Sequence, residues 1–281
     1  MSGQVDPLGL IAGAGRLPLL IAEGARAAGR PLAVIGLRGL ADPALRDRAD
    51  SFAWVGICRL SGWIRRLRRR GVTTAVLAGG VKKAGMYSPW RLLRYLPDLR
   101  TIRLWYRTLR HDRRDNAVLL AVAEELAAAG IELTSSVEYC NEHLASEGPM
   151  TARPVPPGLL SDAEWAFGIA RRSAELDVGQ SLAVKERDII AVEAMEGTDA
   201  MIARAGQLCR TGGWTLVKVA RPDQDMRFDV PTVGPETIEN LKAAGAACLV
   251  LEAGRTLILD KPQTLELADR RAIAVVGMKA E

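Results

Sequence analysis

The chain has 281 residues, 48% of them hydrophobic and only 5% aromatic, which supports cores filled by Ala, Leu, Val and Ile and excludes a disordered chain. Its formal charge is +5, but residues 59–114 hold 16 Lys or Arg against two acids, Asp98 and Asp112, so that stretch carries +14 and the rest −9. Such asymmetry suits an anionic partner, with nucleic acid, phospholipid headgroups and a nucleotide substrate all qualifying.

The N-terminus lacks a basic region followed by a long apolar run, and no stretch approaches the ~18 apolar residues of a membrane span. The expectation is a cytoplasmic protein that touches a membrane only from its surface. The four cysteines are scattered and form no CxxC pair, which reads as reduced thiols.

In chain order, residues 8–12 read as a short buried strand, Gly13-Ala14-Gly15 as a turn, 17–28 as an Ala/Leu helix closed by Gly29, and 31–37 as a second strand. This is a βαβ unit, expected parallel and right-handed. Residues 52–55 and 72–78 add strands, the latter ended by Gly79-Gly80. Residues 91–114 place Leu92, Leu96, Leu99, Ile102, Tyr106 and Leu109 at helical spacing, interrupted near Pro97, with arginines opposite and Trp90 and Trp105 among them. That segment suits an anionic membrane, or packing on its own core with the arginines in water; no nucleic-acid motif accompanies it. A helix over 115–129 and a strand over 131–134 complete a doubly wound domain, expected over residues 1–148.

Pro149, Pro154, Pro156 and Pro157 mark 149–160 as a semi-rigid linker. A second α/β domain is expected over 161–281. It opens with a helix over 162–176, for which Ser161 and Glu164 form a capping-box pattern. Strands follow at 181–185 and 189–194 around Glu186-Arg187-Asp188, then a helix over 199–210, a strand over 214–219 and a helix over 237–244. Strands over 247–252 and 256–260, a helix over 261–270 and a last strand over 272–276 close the chain. The hairpin-like opening predicts a mixed sheet.

Gly13, Ala14 and Gly15 offer backbone amides to a phosphate or mononucleotide, or form a plain tight turn. Pro18 stands where a third glycine belongs and Leu37-Arg38 where an acid would hold a ribose, which disfavours a dinucleotide. Gly79, Gly80 and Lys82 follow a strand's carboxyl end, the edge where such sheets bind ligands, though a lysine pair there also suits a solvated loop. His111 and His143 are too few and too distant for a histidine metal site. There is no nucleophile elbow, Cys–His pairing or Walker loop.

The dense polar clusters lie later. Glu193, Glu196 and Asp199, with Thr198 among them, lie between a strand and a helix, where acids suit a hard cation such as Mg²⁺ and Thr198 suits the substrate, while Thr198 or Asp199 equally serves to cap the next helix. Lys218 precedes a loop with Asp223, Asp225, Arg227 and Asp229. There carboxylates suit a metal or an attacking water, and Lys218 and Arg227 suit phosphate.

The stretches LIAGAGRLP, LAGGVKK, VEAMEGTDAMI, KVARPDQDMRFDVPTVG and LEAGRTLILDKP run in this order through nearly the whole chain. They resemble the LpxI-type UDP-2,3-diacylglucosamine pyrophosphatases. The resemblance implies an N-terminal Rossmann-like domain, a linker and a C-terminal α/β domain, with the acylated sugar phosphate held between them. It implies Mg²⁺-dependent hydrolysis of UDP-2,3-diacylglucosamine to UMP and 2,3-diacylglucosamine 1-phosphate (lipid X) in lipid A biosynthesis, at the cytoplasmic face of the inner membrane. The family's acidic motif falls on Asp225 and Asp229, with Glu196 and Asp199 in the preceding one. These four are the expected Mg²⁺ ligands, and Asp225, as metal ligand or water activator, is the expected catalytic residue.

No nucleic-acid partner is expected, and a homodimer is the assembly considered. The alternative is a non-catalytic nucleotide- or acyl-sugar-binding protein at the membrane surface, but a pure anion binder gains nothing from clustered aspartates. A third reading is a membrane- or RNA-associated structural protein built on the basic segment.

Overall fold

The computed structural model describes residues 6–81, 96–110, 115–222, 224–227 and 230–279. Lys82, His111, Asp223, Asp229 and the basic stretches 82–95 and 111–114 therefore lie outside the described residues. By its contacts the chain divides into two units, Met1–Cys140 with Met226–Phe228, and Asn141–Asp225 with Asp229–Glu281.

The first unit contains β1 (Leu8–Ala12), α1 (Leu17–Ala27), β2 (Leu32–Leu37), β3 (Ser51–Val55), α2 (Leu60–Arg68), β4 (Thr74–Ala78), α3 (Leu99–Leu104), α4 (Asp115–Ala127) and β5 (Glu132–Leu133). Its strands lie in the order β3-β2-β1-β4-β5, all pairs parallel. β1 and β2 are buried along their whole length, which is why they read as continuous apolar runs rather than alternating ones. The chain winds outward from β1 to β3 and then crosses to β4 on the other side. This puts a topological switch point at the carboxyl ends of β1 and β4.

α2 is a helix beyond those expected from the sequence. Its Leu60, Trp63, Ile64 and Leu67 recur at helical spacing and are all buried. They are hidden in the sequence among Arg59, Arg65, Arg66, Arg68, Arg69 and Arg70. The basic residues of its last turn face the negative end of the helix dipole.

Asp98 serves two helix starts. Its carboxylate accepts from the Thr101 amide (2.9 Å) as the cap of α3 and from the Ser61 amide (2.7 Å) in the first turn of α2. Partial burial pushes its pKa up, but the hydrogen bonds from Thr101 and Ser61 outweigh that and hold it below the usual carboxylate range. Asp98→Ala should cost about 2 kcal/mol, the upper range for a lost cap. Because the folded pKa is the lower one, the contribution is present above the unfolded pKa of about 4 and lost as pH falls through the folded value. Urea unfolding of the variant and the parent should differ at pH 7 and converge in strong acid.

The second unit contains β6 (Gly148–Pro149), α5 (Pro157–Glu175), β7 (Ser181–Lys185), β8 (Asp188–Val192), α6 (Thr198–Leu208), β9 (Trp214–Lys218), β10 (Thr232–Val233), α7 (Pro235–Ala243), β11 (Ala246–Glu252), β12 (Leu257–Ile258), α8 (Lys261–Arg271) and β13 (Ala274–Met278). Its main sheet runs β6-β13-β11-β9-β7-β8. β9, β11 and β13 are parallel, whereas β7, β8 and β6 pair antiparallel with their neighbours, so the sheet is mixed. Strand alternation divides the core. Leu216 of β9 packs with Met201, Ile202, Ile238 and Leu241 on one face, and Val217 packs with Ala163, Phe167 and Ala170 of α5 on the other.

The contact boundary falls between Cys140 and Asn141, ahead of the expected 148. Nor is 149–160 a free-standing spacer. Gly148 and Pro149 pair with Gly277 and Val276 as an edge strand, where a missing N–H is tolerated. Pro157 opens α5, five residues before the expected start, because proline suits the first helical turn. Ser161 is therefore inside the helix, and its hydroxyl accepts from Arg187 Nη2 (3.1 Å). The Asp162 carboxylate accepts from the amides of Glu186 (2.7 Å) and Arg187 (3.0 Å). Those two residues have φ of 54° and 61°, the left-handed turn that joins twisted antiparallel strands.

Candidate functional site

At the switch point of the first unit the two glycine loops interlock. The Gly13 amide donates to Ala78 O (2.8 Å), and Ala14 and Gly80 exchange amide–carbonyl bonds of 2.9 Å. A Cβ on Gly13 would lie 2.7 Å from Gly79 O; one on Gly79, whose φ is +91°, would lie 2.6 Å from Ala14 O. Close approach of backbone thus explains these glycines, and it commits two amides, those of Gly13 and Ala14, that the sequence reading offered to phosphate. Around Gly15 and Gly80 a Cβ would meet open space, though Gly15 has φ +100°. Gly79→Ala should therefore destabilise the protein by about 3 kcal/mol, from strained φ plus overlap, with Gly80→Ala close to neutral. Paired urea titrations of the two variants check this.

In the second unit, polar side chains converge at the carboxyl end of β9. Lys218, the last residue of β9, is buried despite its charge. Its register partner on antiparallel β7 is Ser181, so two distant stretches of sequence meet at one edge. β8 runs out to Glu193, whose amide donates to Ser181 O (2.8 Å), and Thr198 opens α6. Lys218 Nζ donates to Thr198 Oγ1 (3.0 Å). Thr198 Oγ1 in turn donates to Glu193 Oε1 (2.9 Å), and Ser181 Oγ lies 3.4 Å from the same hydroxyl. The structure thus brings together Thr198 and Lys218, named from separate motifs. From sequence, Glu193 was one acid of a cluster suited to a cation, without its tie to Thr198, and Ser181 was missed; Glu193 stands one residue beyond a β-branched strand, where a side chain returns to the sheet edge.

The other acids of that motif point elsewhere. Glu196 is exposed and pairs with Arg204 (2.5 Å), whose hydrogen bond holds its carboxyl below the usual range. Asp199 is exposed and accepts from Asn240 Nδ2 (3.0 Å). Neither Thr198 nor Asp199 caps α6; Gly197, with φ +83°, occupies the cap. Among the described residues no three His, Cys, Asp or Glu are grouped to hold a metal ion.

The loop leaving β9 is tied to β11. Glu252, almost wholly buried at the end of β11, accepts from the Ala220 amide (2.8 Å) and pairs with Arg255 (3.7 Å). Arg255 Nη2 also donates to Arg221 O (2.7 Å), and the Arg221 amide donates to Gln224 Oε1 (2.9 Å). Asp225, next in the loop, is half-buried. Beyond it the chain joins the first unit, where Met226 O accepts from the Ser136 amide (3.2 Å) and from the hydroxyls of Ser135 and Ser136 (both 3.3 Å). Arg227 is half-buried there. Glu252 and Arg255 were also missed; their signal was the polar LEAGR ending of a strand otherwise apolar.

These features define a two-unit α/β protein whose first sheet has the doubly wound order and whose second carries a lysine–threonine–carboxylate chain where β9 ends. Residues 7–143 match the LpxI N-terminal domain and residues 146–276 the LpxI C-terminal domain, and the chain belongs to the LpxI family. It is 35% identical to the UDP-2,3-diacylglucosamine pyrophosphatase LpxI of Caulobacter vibrioides, over 96% of this chain and 97% of that one. Among the described residues no helix is long and apolar enough to cross a membrane.

Proposed function

We propose that this chain is an enzyme that hydrolyses the diphosphate of UDP-2,3-diacylglucosamine to UMP and 2,3-diacylglucosamine 1-phosphate, a step of lipid A synthesis. The observation that carries the proposal is the buried Lys218 ammonium held against Thr198 at the end of the strand from which the Asp225 loop departs. Cleaving a diphosphate requires charge to be stabilised on phosphoryl oxygens, and a fixed cation out of bulk water does this more strongly than a solvated one. Lys218 and Thr198 are assigned to phosphate, and Asp225 to the attacking water.

A hard divalent cation fits the oxygen chemistry of this loop, but not as an ion caged by protein acids, since no three acids converge among the described residues. Mg²⁺ commonly keeps several waters and binds through one or two carboxylates plus substrate phosphates. Asp225, with Asp229 of the same motif, would hold it so. Glu196 and Asp199 are left out, because Arg204 and Asn240 engage them. When bound, the ion supplies neutralisation of phosphoryl charge.

A substrate with two acyl chains resides in a bilayer, and we place the enzyme at the membrane surface as a peripheral protein. Leu99, Ile102, Trp105 and Tyr106 are all exposed beside Arg103 and Arg107. Residues 99–110 contain no acid, a composition that favours anionic lipid. The test is to incubate the protein with UDP-2,3-diacylglucosamine in mixed micelles. Release of UMP with Mg²⁺ that stops on adding EDTA supports the proposal; binding without turnover supports the non-catalytic alternative.

A further inference from the structure

We infer that Glu193 is a positioning residue for the phosphate-binding edge of the second unit: it fixes the Thr198 hydroxyl, and through it the Lys218 ammonium. The inference rests on the reading of Lys218 and Thr198 as phosphate contacts.

Thr198 has one hydroxyl proton, and it goes to Glu193 Oε1 at 2.9 Å. The hydroxyl's lone pairs are then left for donors, and Lys218 Nζ fills that role at 3.0 Å. Without the carboxylate, the proton is free to turn toward Ser181 Oγ, 3.4 Å away, and the lone pair that faces the ammonium no longer has a fixed direction. A lysine has a long, flexible stem, so an acceptor of fixed direction helps to hold its charge in one place.

Glu193 is itself held firmly. Its amide bonds to Ser181 O, and Gly179 packs so tightly on it that a Cβ there would lie 2.0 Å from Glu193 O.

A second observation separates this role from a merely structural one. Glu193 Oε2 is buried with no hydrogen-bond partner. A buried carboxylate oxygen left unpaired is costly, and an apolar side chain of similar size is often as stable or more so. Stability therefore does not explain the acid; its effect on Thr198 does.

The test compares Glu193→Leu, Glu193→Gln and Thr198→Val, the double variant Glu193→Leu/Thr198→Val, and Lys218→Met as reference. Each is assayed for UMP release from UDP-2,3-diacylglucosamine and for thermal unfolding. Glu193→Leu should lose about 50-fold in kcat/KM, a fraction of what a transition-state donor supplies, while its unfolding temperature stays level or rises. Glu193→Gln keeps an acceptor at the Oε1 position and should recover most of the loss. The double variant should be no worse than the poorer single, because both break one chain of contacts.

Wild-type kcat/KM in Glu193→Leu, a glutamine no better than leucine, or losses that multiply would each overturn the inference. So would an activity loss that merely follows a fall in unfolding temperature. If Lys218→Met is also fully active, the reading of the site fails and the inference with it. If Lys218→Met is crippled while Glu193→Leu is not, the inference alone fails.

Discussion

Asp225→Asn should reduce UMP release by about a thousandfold with the fold intact, within the range removed with a general base. The substitution keeps the shape of the side chain and deletes its charge. It therefore removes the capacity to take a proton from water and weakens any hold on a divalent cation. The position supports a large effect. The loop is tied down just before Asp225 by the buried Glu252 carboxylate on the Ala220 amide and by Arg255 on Arg221 O, so the residue is presented from a fixed base. Turnover measured with saturating substrate and Mg²⁺, alongside circular dichroism of the folded variant, decides it. Activity within tenfold of the parent would remove Asp225 from the chemistry.

Lys218→Met should lower kcat/KM by about a hundredfold, the scale on which a single preorganised donor to phosphoryl charge acts. Methionine nearly matches the lysine stem in length, so the buried part of the side chain stays filled. Lys218→Arg is expected to recover little, because the planar guanidinium cannot place one donor on Thr198 as an ammonium does. Steady-state kinetics of both variants check this, and a loss confined to stability would count against the assignment.

The strands were legible wherever burial on both faces made an unbroken apolar run, as in β1 and β2. The mixed character of the second sheet followed from the polar turn Glu186-Arg187-Asp188. Features set by tertiary contact were not legible. Pro157 reads as a break until the chain after it is seen to be helical, and the apolar stripe of α2 is masked by its arginines. The carboxylates of the second domain read as one acidic patch, because composition does not reveal that Glu193 turns to the sheet edge while Glu196 turns to Arg204.

The same limit holds for the glycine motifs. A glycine needed for backbone-to-backbone contact, as at Gly13 and Gly79, looks in sequence like one needed for a phosphate. The meeting of Thr198 with Lys218 depends on the register that sets Ser181 opposite Lys218, which neither motif contains. The family, by contrast, was visible from the motifs in their order, and its two domains match this chain across residues 7–143 and 146–276.

On the proposed function, water attacks a phosphorus of the sugar nucleotide's diphosphate on this protein. Turnover of UDP-2,3-diacylglucosamine in ¹⁸O-labelled water, read by mass spectrometry, tests it directly. The heavy oxygen is expected in the phosphate of either UMP or 2,3-diacylglucosamine 1-phosphate. Unlabelled products, or an intact substrate after prolonged incubation with Mg²⁺, would contradict it.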